Sequence, residues 1–277
     1  MKPARGIKPD PLQPFADALR DRVPSKEALL AEGKAFTQRR RSKQKSLSAG
    51  LLLLALAGGL WQIDPAWRTE DVKVAIGQRQ DVQLPDGSRV RLNSGTHLRI
   101  ERRLRSRQLE LVHGEATFTV VHENSPFIVR SQGVRVRDIG TVFNLRSDRR
   151  GVDIGVIEGS VEVSNGHAAP QLIGAGEQVR ATAKQIDAVQ PVNREALTAW
   201  QNGKLRFDGT PLSEVVRTLQ QYRTASIRVA DDATAELRLS GEFDCERVEA
   251  LVGMLPRILP VSLVRTADGS VILNRLR

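Results

Sequence analysis

The sequence predicts a mixed architecture: a single transmembrane helix, then an all-β domain built as a sandwich or a strand solenoid, then a small α+β module running β-α-β-β-α-β-β. Three features predict it. Residues 47–63 form a run of seventeen positions without a charge. From Val72 to about Gln190, apolar residues recur with period two, as they do in half-buried strands. Beyond Pro191 that rhythm gives way to two helical stripes set between strand-like runs.

The anchor is expected over Leu47 to Ile63. A helix rises about 1.5 Å per residue, so the segment reaches roughly 25 Å, at the short end of what crosses a bilayer core. Arg39, Arg40, Arg41, Lys43 and Lys45 precede it, and Trp61 and Trp67 stand at its far end. Cationic flanks resist translocation and indoles favour the interface, so the N-terminus is expected inside the cell and the C-terminus outside. A chain with one span has too few for a pore and is most simply a transmitter or an anchored domain. The competing reading is a secretory signal peptide, with Leu51 to Leu56 as its apolar region and cleavage after Ala55-Leu56-Ala57.

The formal net charge of +10 is unevenly placed. Residues 1–46 hold twelve Lys or Arg and five Asp or Glu, a net +7, which leaves +3 for the other 231 residues. A basic tail beside a membrane is ordinary, and the near-neutral larger part disfavours nucleic-acid binding, which needs a basic face there. Cys245 is the only cysteine, so no disulfide forms within the chain. Aromatic residues make up 4%, and the core is expected to be aliphatic.

Each element follows from local pattern. Arg89-Val90-Arg91-Leu92 and Val134-Arg135-Val136-Arg137 alternate apolar with basic residues, and Val152-Asp153-Ile154 and Val161-Glu162-Val163 alternate with acidic ones. Pro85-Asp86-Gly87, Asn93-Ser94-Gly95 and Asn165-Gly166 supply turn chemistry between such runs. After Pro191, Lys204–Asp208 reads as a strand. Thr210 is expected to cap a helix with Pro211 at its first position and Leu212, Val215, Val216, Leu219 and Tyr222 on its buried face. Residues 226–230 and 237–243 read as strands. Asp244 is expected to cap a second helix, with Val248, Leu251, Val252 and Leu255 inward. Residues 261–265 and 270–274 flank the hairpin turn Ala267-Asp268-Gly269. The domains are thus a tail at 1–46, the anchor at 47–63, a β domain at 72–190 and an α+β module at 195–277.

The order of several motifs carries a resemblance. They are Leu84-Pro85-Asp86-Gly87-Ser88 with Leu92-Asn93 and Ser94-Gly95-Thr96, then Gly114-Glu115-Ala116 with Phe118, and Pro126-Phe127. Gly140-Thr141-Val142-Phe143-Asn144-Leu145, Val156-Ile157-Glu158-Gly159-Ser160-Val161 and Gly174-Ala175-Gly176-Glu177 complete the series. Together they resemble the FecR-type transmembrane regulators, anti-sigma proteins of Gram-negative cell-surface signalling. Trp200, Gly203, Leu205, Phe207 and Pro211-Leu212 resemble the start of the short N-terminal module shared by secretins and TonB-dependent transducers.

The resemblance implies an inner-membrane protein. Its periplasmic end would contact the signalling domain of a TonB-dependent outer-membrane transducer of siderophore and iron uptake. Its cytoplasmic tail would hold an extracytoplasmic-function sigma factor. Residues 1–46 depart from that family, whose cytoplasmic domain is usually longer and carries tryptophan. The alternative is an anchored periplasmic scaffold, an assembly partner of an outer-membrane secretin or transporter. A freely secreted β protein requires cleavage after Ala57.

No cofactor, metal or separate substrate is expected. His97, His113, His122 and His167 lack ligand spacing, and no nucleophile elbow, phosphate loop or dinucleotide fingerprint is present. In relatives of the family a Gly-Thr bond breaks by itself through attack of the threonine hydroxyl on the preceding carbonyl. The matching pair is Gly140-Thr141, whose other reading is an ordinary turn glycine followed by a strand residue.

Overall fold

The computed structural model describes residues 54–276 continuously, together with residues 15, 26, 27, 30, 31, 34 and 52. The chain divides into two units, Met1–Ile63 and Asp64–Arg277. In the first, residues 54–63 are helical and exposed. Among the described residues no helix is long and apolar enough to cross a membrane. Residues 47–51 and 53 of the expected anchor, and nearly all of the 1–46 tail, lie outside the described residues.

The second unit begins with thirteen strands: β1 Arg68–Lys73, β2 Gln80–Gln83, β3 Arg89–Leu92, β4 His97–Arg102, β5 Arg107–Thr119, β6 Phe127–Ser131, β7 Val134–Asp138, β8 Val142–Asp148, β9 Gly151–Glu158, β10 Ser160–Ser164, β11 Gln171–Gly174, β12 Glu177–Ala181 and β13 Gln190–Pro191. They form one curled sheet whose main path runs β11-β10-β7-β6-β5-β8-β9-β12-β13. Only β5 and β6 pair in parallel among these strands, so the domain is not a solenoid of stacked coils.

The curl comes from β5, which serves two layers. Its first half pairs with β4 and β6, and its second half pairs with β3 and β8. The handover falls at Gly114, with φ of +98°. A Cβ there would stand 2.5 Å from the Thr96 Cα, so only glycine lets the strands approach. Thr96 stitches the corner: its hydroxyl donates to the Glu115 carbonyl at 3.0 Å and accepts the Glu115 N–H at 3.1 Å.

The sheet closes over one core of Val, Leu and Ile side chains. The aliphatic expectation holds, and three phenylalanines join these side chains. Phe118 stacks on Phe143 at 4.9 Å between centroids and meets Phe127 edge-on at 6.2 Å, all three fully buried.

A short connector follows, helix α1 (Arg194–Thr198) and a 3-10 turn (Ala199–Asn202), capped by the Asn193 side chain. Then come β14 Lys204–Pro211, α2 Leu212–Gln220, β15 Ile227–Val229, α3 Asp232–Ala235, β16 Arg238–Asp244, α4 Val248–Ile258, β17 Val261–Arg265 and β18 Val271–Arg275. β14 pairs with β16, and β15, β18 and β17 form a second small sheet. The predicted stripes of α2 and α4 are both buried in a second core. The hairpin at 267–269 pairs β17 with β18 in antiparallel register.

Three details differ from expectation. The order includes an extra short helix, α3, started by Asp231, whose carboxylate accepts the Thr234 N–H at 2.8 Å. Thr210 lies in β14 opposite Leu239 rather than capping α2, and Pro211 takes the cap position. There the ladder competes with the cap for the backbone and wins. Asp244 caps a 3-10 turn at Cys245–Arg247, one step before α4 begins.

Candidate functional site

Two places in the second unit gather polar side chains around special backbone. The first is the turn between β7 and β8. Gly140 has φ of +92° and is exposed, whereas Thr141 is 4% exposed. Asp138, the last residue of β7, accepts the Gly140 N–H at 2.9 Å through one carboxylate oxygen. Its other oxygen accepts the Thr141 hydroxyl. A carboxylate thus holds both sides of the Gly140–Thr141 peptide.

Gly159 closes the turn from behind. A Cβ there would come 2.2 Å from the Gly140 carbonyl oxygen and 2.9 Å from the Thr141 methyl, so the glycine permits this approach. A Cβ on Gly140 would stand 3.5 Å from His122 Nδ1, which places an imidazole beside the same bond. Gly140 thus lies in the bend between the strands, and Thr141 immediately precedes β8. The hydroxyl and the base that a threonine nucleophile needs are also present.

The second place is the face where α2 meets the β sheet, and it is polar. Arg217 is 9% exposed and sits among Asp148, Asp153 and Glu214; its Nη1 lies 2.5 Å from Asp153 and 3.2 Å from Glu214, and its Nε donates to Asp148. Burial works against the charge, but the Asp148 hydrogen bond and the three carboxylates outweigh it and raise the guanidinium pKa. Arg146 donates to the Thr218 hydroxyl at 3.0 Å, and Arg150 and Arg180 reach Glu214 at 3.2 and 3.4 Å.

Beside this cluster Tyr222 and Asn93 exchange hydrogen bonds at 2.8 and 3.0 Å. Asn93 and Asn144 each donate to Glu115 at 2.8 Å, and Ser94 donates to the Gln221 carbonyl at 2.8 Å. Burial first, then the Glu115 charge, pushes the Tyr222 phenol up, so it stays protonated and able to donate. On the connector, Gln201 donates to Thr117 at 2.9 Å and Arg79 to the Trp200 carbonyl at 3.0 Å.

The junction is not filled. A cleft of about 780 Å³ runs along every residue of β14, with Glu115, Arg146, Arg180 and Trp200 in its wall. β14 pairs only with β16, so its other edge carries no strand. At the far side of the module β17 is likewise an edge, flanked by the exposed apolar Met254, Ile258 and Val264.

Sequence reading singled out Gly140 and Thr141 but assigned no partner-binding residue. It missed Asp138, whose place two residues before Gly140 is the spacing of an Asx turn. It missed Arg217, and it placed Tyr222 on the apolar face of α2 without its hydrogen bonds to Asn93, because helical periodicity speaks only for packing. The structure also brings His97 and His113 opposite each other on β4 and β5, ring centroids 5.8 Å apart, with Asp71 bound to His97 at 2.6 Å. Among the described residues no group of three such side chains is arranged to hold a metal ion.

Residues 70–162 match the family model described as FecR protein. Two crystal structures of candidate anti-sigma factors from Parabacteroides distasonis ATCC 8503 share the fold. The one at 2.50 Å has a TM-score of 0.65 at 25% identity over 76% of this chain and 100% of that one. The one at 1.65 Å has a TM-score of 0.65 at 26% identity over 75% of this chain and 100% of that one. No curated protein matches the chain. The resemblance to FecR-type regulators read from the sequence holds.

Proposed function

We propose that this chain, whose residues 70–162 are a FecR domain, is an anti-sigma regulator that carries a signal across the inner membrane. Residues 47–63 anchor it, with the N-terminus in the cytoplasm and the C-terminus in the periplasm. The 1–46 tail holds an extracytoplasmic-function sigma factor, and the C-terminal module meets the signalling domain of a TonB-dependent transducer. What supports this reading most is that the likeness to the anti-sigma structures covers about three quarters of this chain, well beyond residues 70–162. The free edges of β14 and β17 suit a partner that adds a strand, since main-chain hydrogen bonds there await one.

Three measurements test the three parts. A pull-down with residues 1–46 is expected to retain a sigma factor encoded beside this chain. A periplasm-dependent reporter fused after Arg277 is expected to be active, and a cytoplasm-dependent one silent; the reverse result overturns the orientation. Calorimetry of Asp64–Arg277 against the signalling domain of a neighbouring transducer is expected to give a dissociation constant of about 1 μM or tighter, some −8 kcal/mol. Absence of heat with every such domain removes the transducer from the proposal.

The Gly140–Thr141 bond is proposed as a site of self-cleavage. The Thr141 oxygen attacks the Gly140 carbonyl carbon while Asp138 takes the hydroxyl proton. The C–N bond then breaks, the proton passes to the Thr141 nitrogen, and an ester joins Gly140 to the Thr141 oxygen. Water hydrolyses that ester to a Gly140 carboxylate and a free N-terminal threonine. Glycine on the acyl side leaves the carbonyl unshielded, and its exposure admits the water.

A further inference from the structure

Asp64 is the first residue of the second unit and follows directly on Ile63. It is a non-glycine residue with φ of +45°, and it is 7% exposed. Such backbone persists only where its surroundings over-determine it. Here they do. The Asp64 carboxylate accepts the N–H of Leu104 at 3.1 Å, the N–H of Arg105 at 3.0 Å and the Ser106 hydroxyl at 2.6 Å. Arg103 donates to the Asp64 carbonyl at 2.6 Å. The point where the chain leaves residues 54–63 is therefore tied to the tip of the β4–β5 hairpin.

That tip is unlike the rest of the β surface. Leu104 is 82% exposed, the highest value of any large apolar side chain among the described residues. Trp67, 63% exposed, donates its N–H to the Arg102 carbonyl at 3.0 Å, and Arg68 pairs with Arg102. Arg68 is exposed there and Arg102 half-buried, while Arg103 is held by Glu101 and by the Asp64 carbonyl. An exposed leucine and an exposed tryptophan beside Arg68 suit a membrane interface, where apolar groups enter the headgroup layer and a guanidinium meets lipid phosphate.

We infer that the β4–β5 hairpin tip docks on the surface of an anionic phospholipid bilayer, with Leu104 and Trp67 seated in the headgroup layer and Asp64 holding the tip to the chain's point of entry. The inference rests on the proposed anchor for its setting, because the anchor brings this tip to the bilayer. The docking fixes how the FecR domain stands on the membrane.

The test separates docking from anchoring. Asp64–Arg277 contains both hydrophobic cores and is studied without the anchor. It is expected to float with vesicles of phosphatidylcholine containing phosphatidylglycerol and not with phosphatidylcholine alone. Leu104→Glu is expected to lower the bound fraction about tenfold, and Arg68→Glu by a similar factor, with the melting midpoint unchanged.

In the full chain in nanodiscs, a fluorophore on Leu104→Cys is expected to be quenched by headgroup-linked quenchers. One on Leu172→Cys, at the outer strand β11, is expected to escape them. Equal flotation of wild type and Leu104→Glu, equal quenching at both positions, or self-association through the tip in place of flotation overturns the inference. Alkaline extraction of the full chain from membranes would sink the anchor alone, since vesicle flotation of Asp64–Arg277 does not need it.

Discussion

Arg217, on the first long helix of the C-terminal module, donates to Asp148, the last residue of β8 in the β domain. Sixty-nine residues separate them in the chain. Their contact sits in a face joined by ion pairs and hydrogen bonds, where Asp153, Glu214, Asn93 and Tyr222 all take part. A hydrophobic interface would fuse the two cores permanently. A polar one holds the module in a defined place and leaves it open to competition from water, salt or a partner.

Replacing Arg217 by leucine is expected to destabilise the unit by roughly 2–3 kcal/mol, read from urea unfolding. Breaking a buried pair typically costs about 3–5 kcal/mol because charges are left uncompensated, and the partners' partial exposure puts this case lower. Adding Asp148→Asn and Asp153→Asn is expected to recover part of the loss. A neutral Arg217→Leu would show that the cluster does not hold the module.

Acid should act on the same contact. Burial draws the Asp148 carboxyl up, but the Arg217 hydrogen bond, the Arg150 N–H and the charges of Arg217 and Arg146 draw it down further, below its ordinary value of 3.8. The folded state therefore binds this proton less readily than the unfolded one. The stability it contributes is fully present above pH 3.8 and is lost as pH falls through the lower folded value. Melting midpoints measured downward from pH 5 are expected to fall less steeply for Asp148→Asn than for wild type.

Gly114→Ala is expected to destabilise by more than about 3 kcal/mol. The new methyl meets Thr96 backbone at 2.5 Å and the residue must hold φ of +98°, so both space and backbone oppose it. Gly176→Ala, with φ of +82° but nothing near its Cβ, isolates the backbone share and is expected to cost about 1 kcal/mol. Equal losses at the two sites would mean that the corner in β5 is not sterically set.

Much of this fold is legible in local pattern, because period-two runs and Asp-Gly turns state where strands begin and end. The buried faces of α2 and α4 are also legible, since four apolar positions at helical spacing admit one inward side. What one sequence does not state is the pairing of distant strands. That β5 changes layers at Gly114 depends on Thr96 lying beside it, a contact eighteen residues apart. The site was half legible. Asn93, Ser94, Glu115 and Asn144 belong to the motifs that carry the FecR resemblance, yet their shared purpose appears only when all four are found at the module's docking face. A polar residue in a motif announces a hydrogen bond without naming its partner.

The Gly140–Thr141 turn gives the sharpest test. Purified wild-type chain is expected to yield two fragments that meet at this bond, the second beginning with Thr141 by mass spectrometry. Thr141→Val keeps the β-branched shape just before β8 while deleting the nucleophile, so it should fold and stay whole. Thr141→Ser keeps the oxygen and should cut. Asp138→Asn retains an acceptor for the Thr141 hydroxyl but is a far weaker base, and cleavage is expected to slow about a hundredfold. Gly159→Ala drives a methyl against the Gly140 carbonyl and is expected to alter the rate while Thr141 and Asp138 remain. If wild type stays intact through prolonged incubation, the hydrogen bonds of Asp138 merely close a turn, and no acyl shift takes place there. If Asp138→Asn cuts as fast as wild type, the hydroxyl gives its proton to another base, and His122, whose ring flanks Gly140, becomes the next residue to replace.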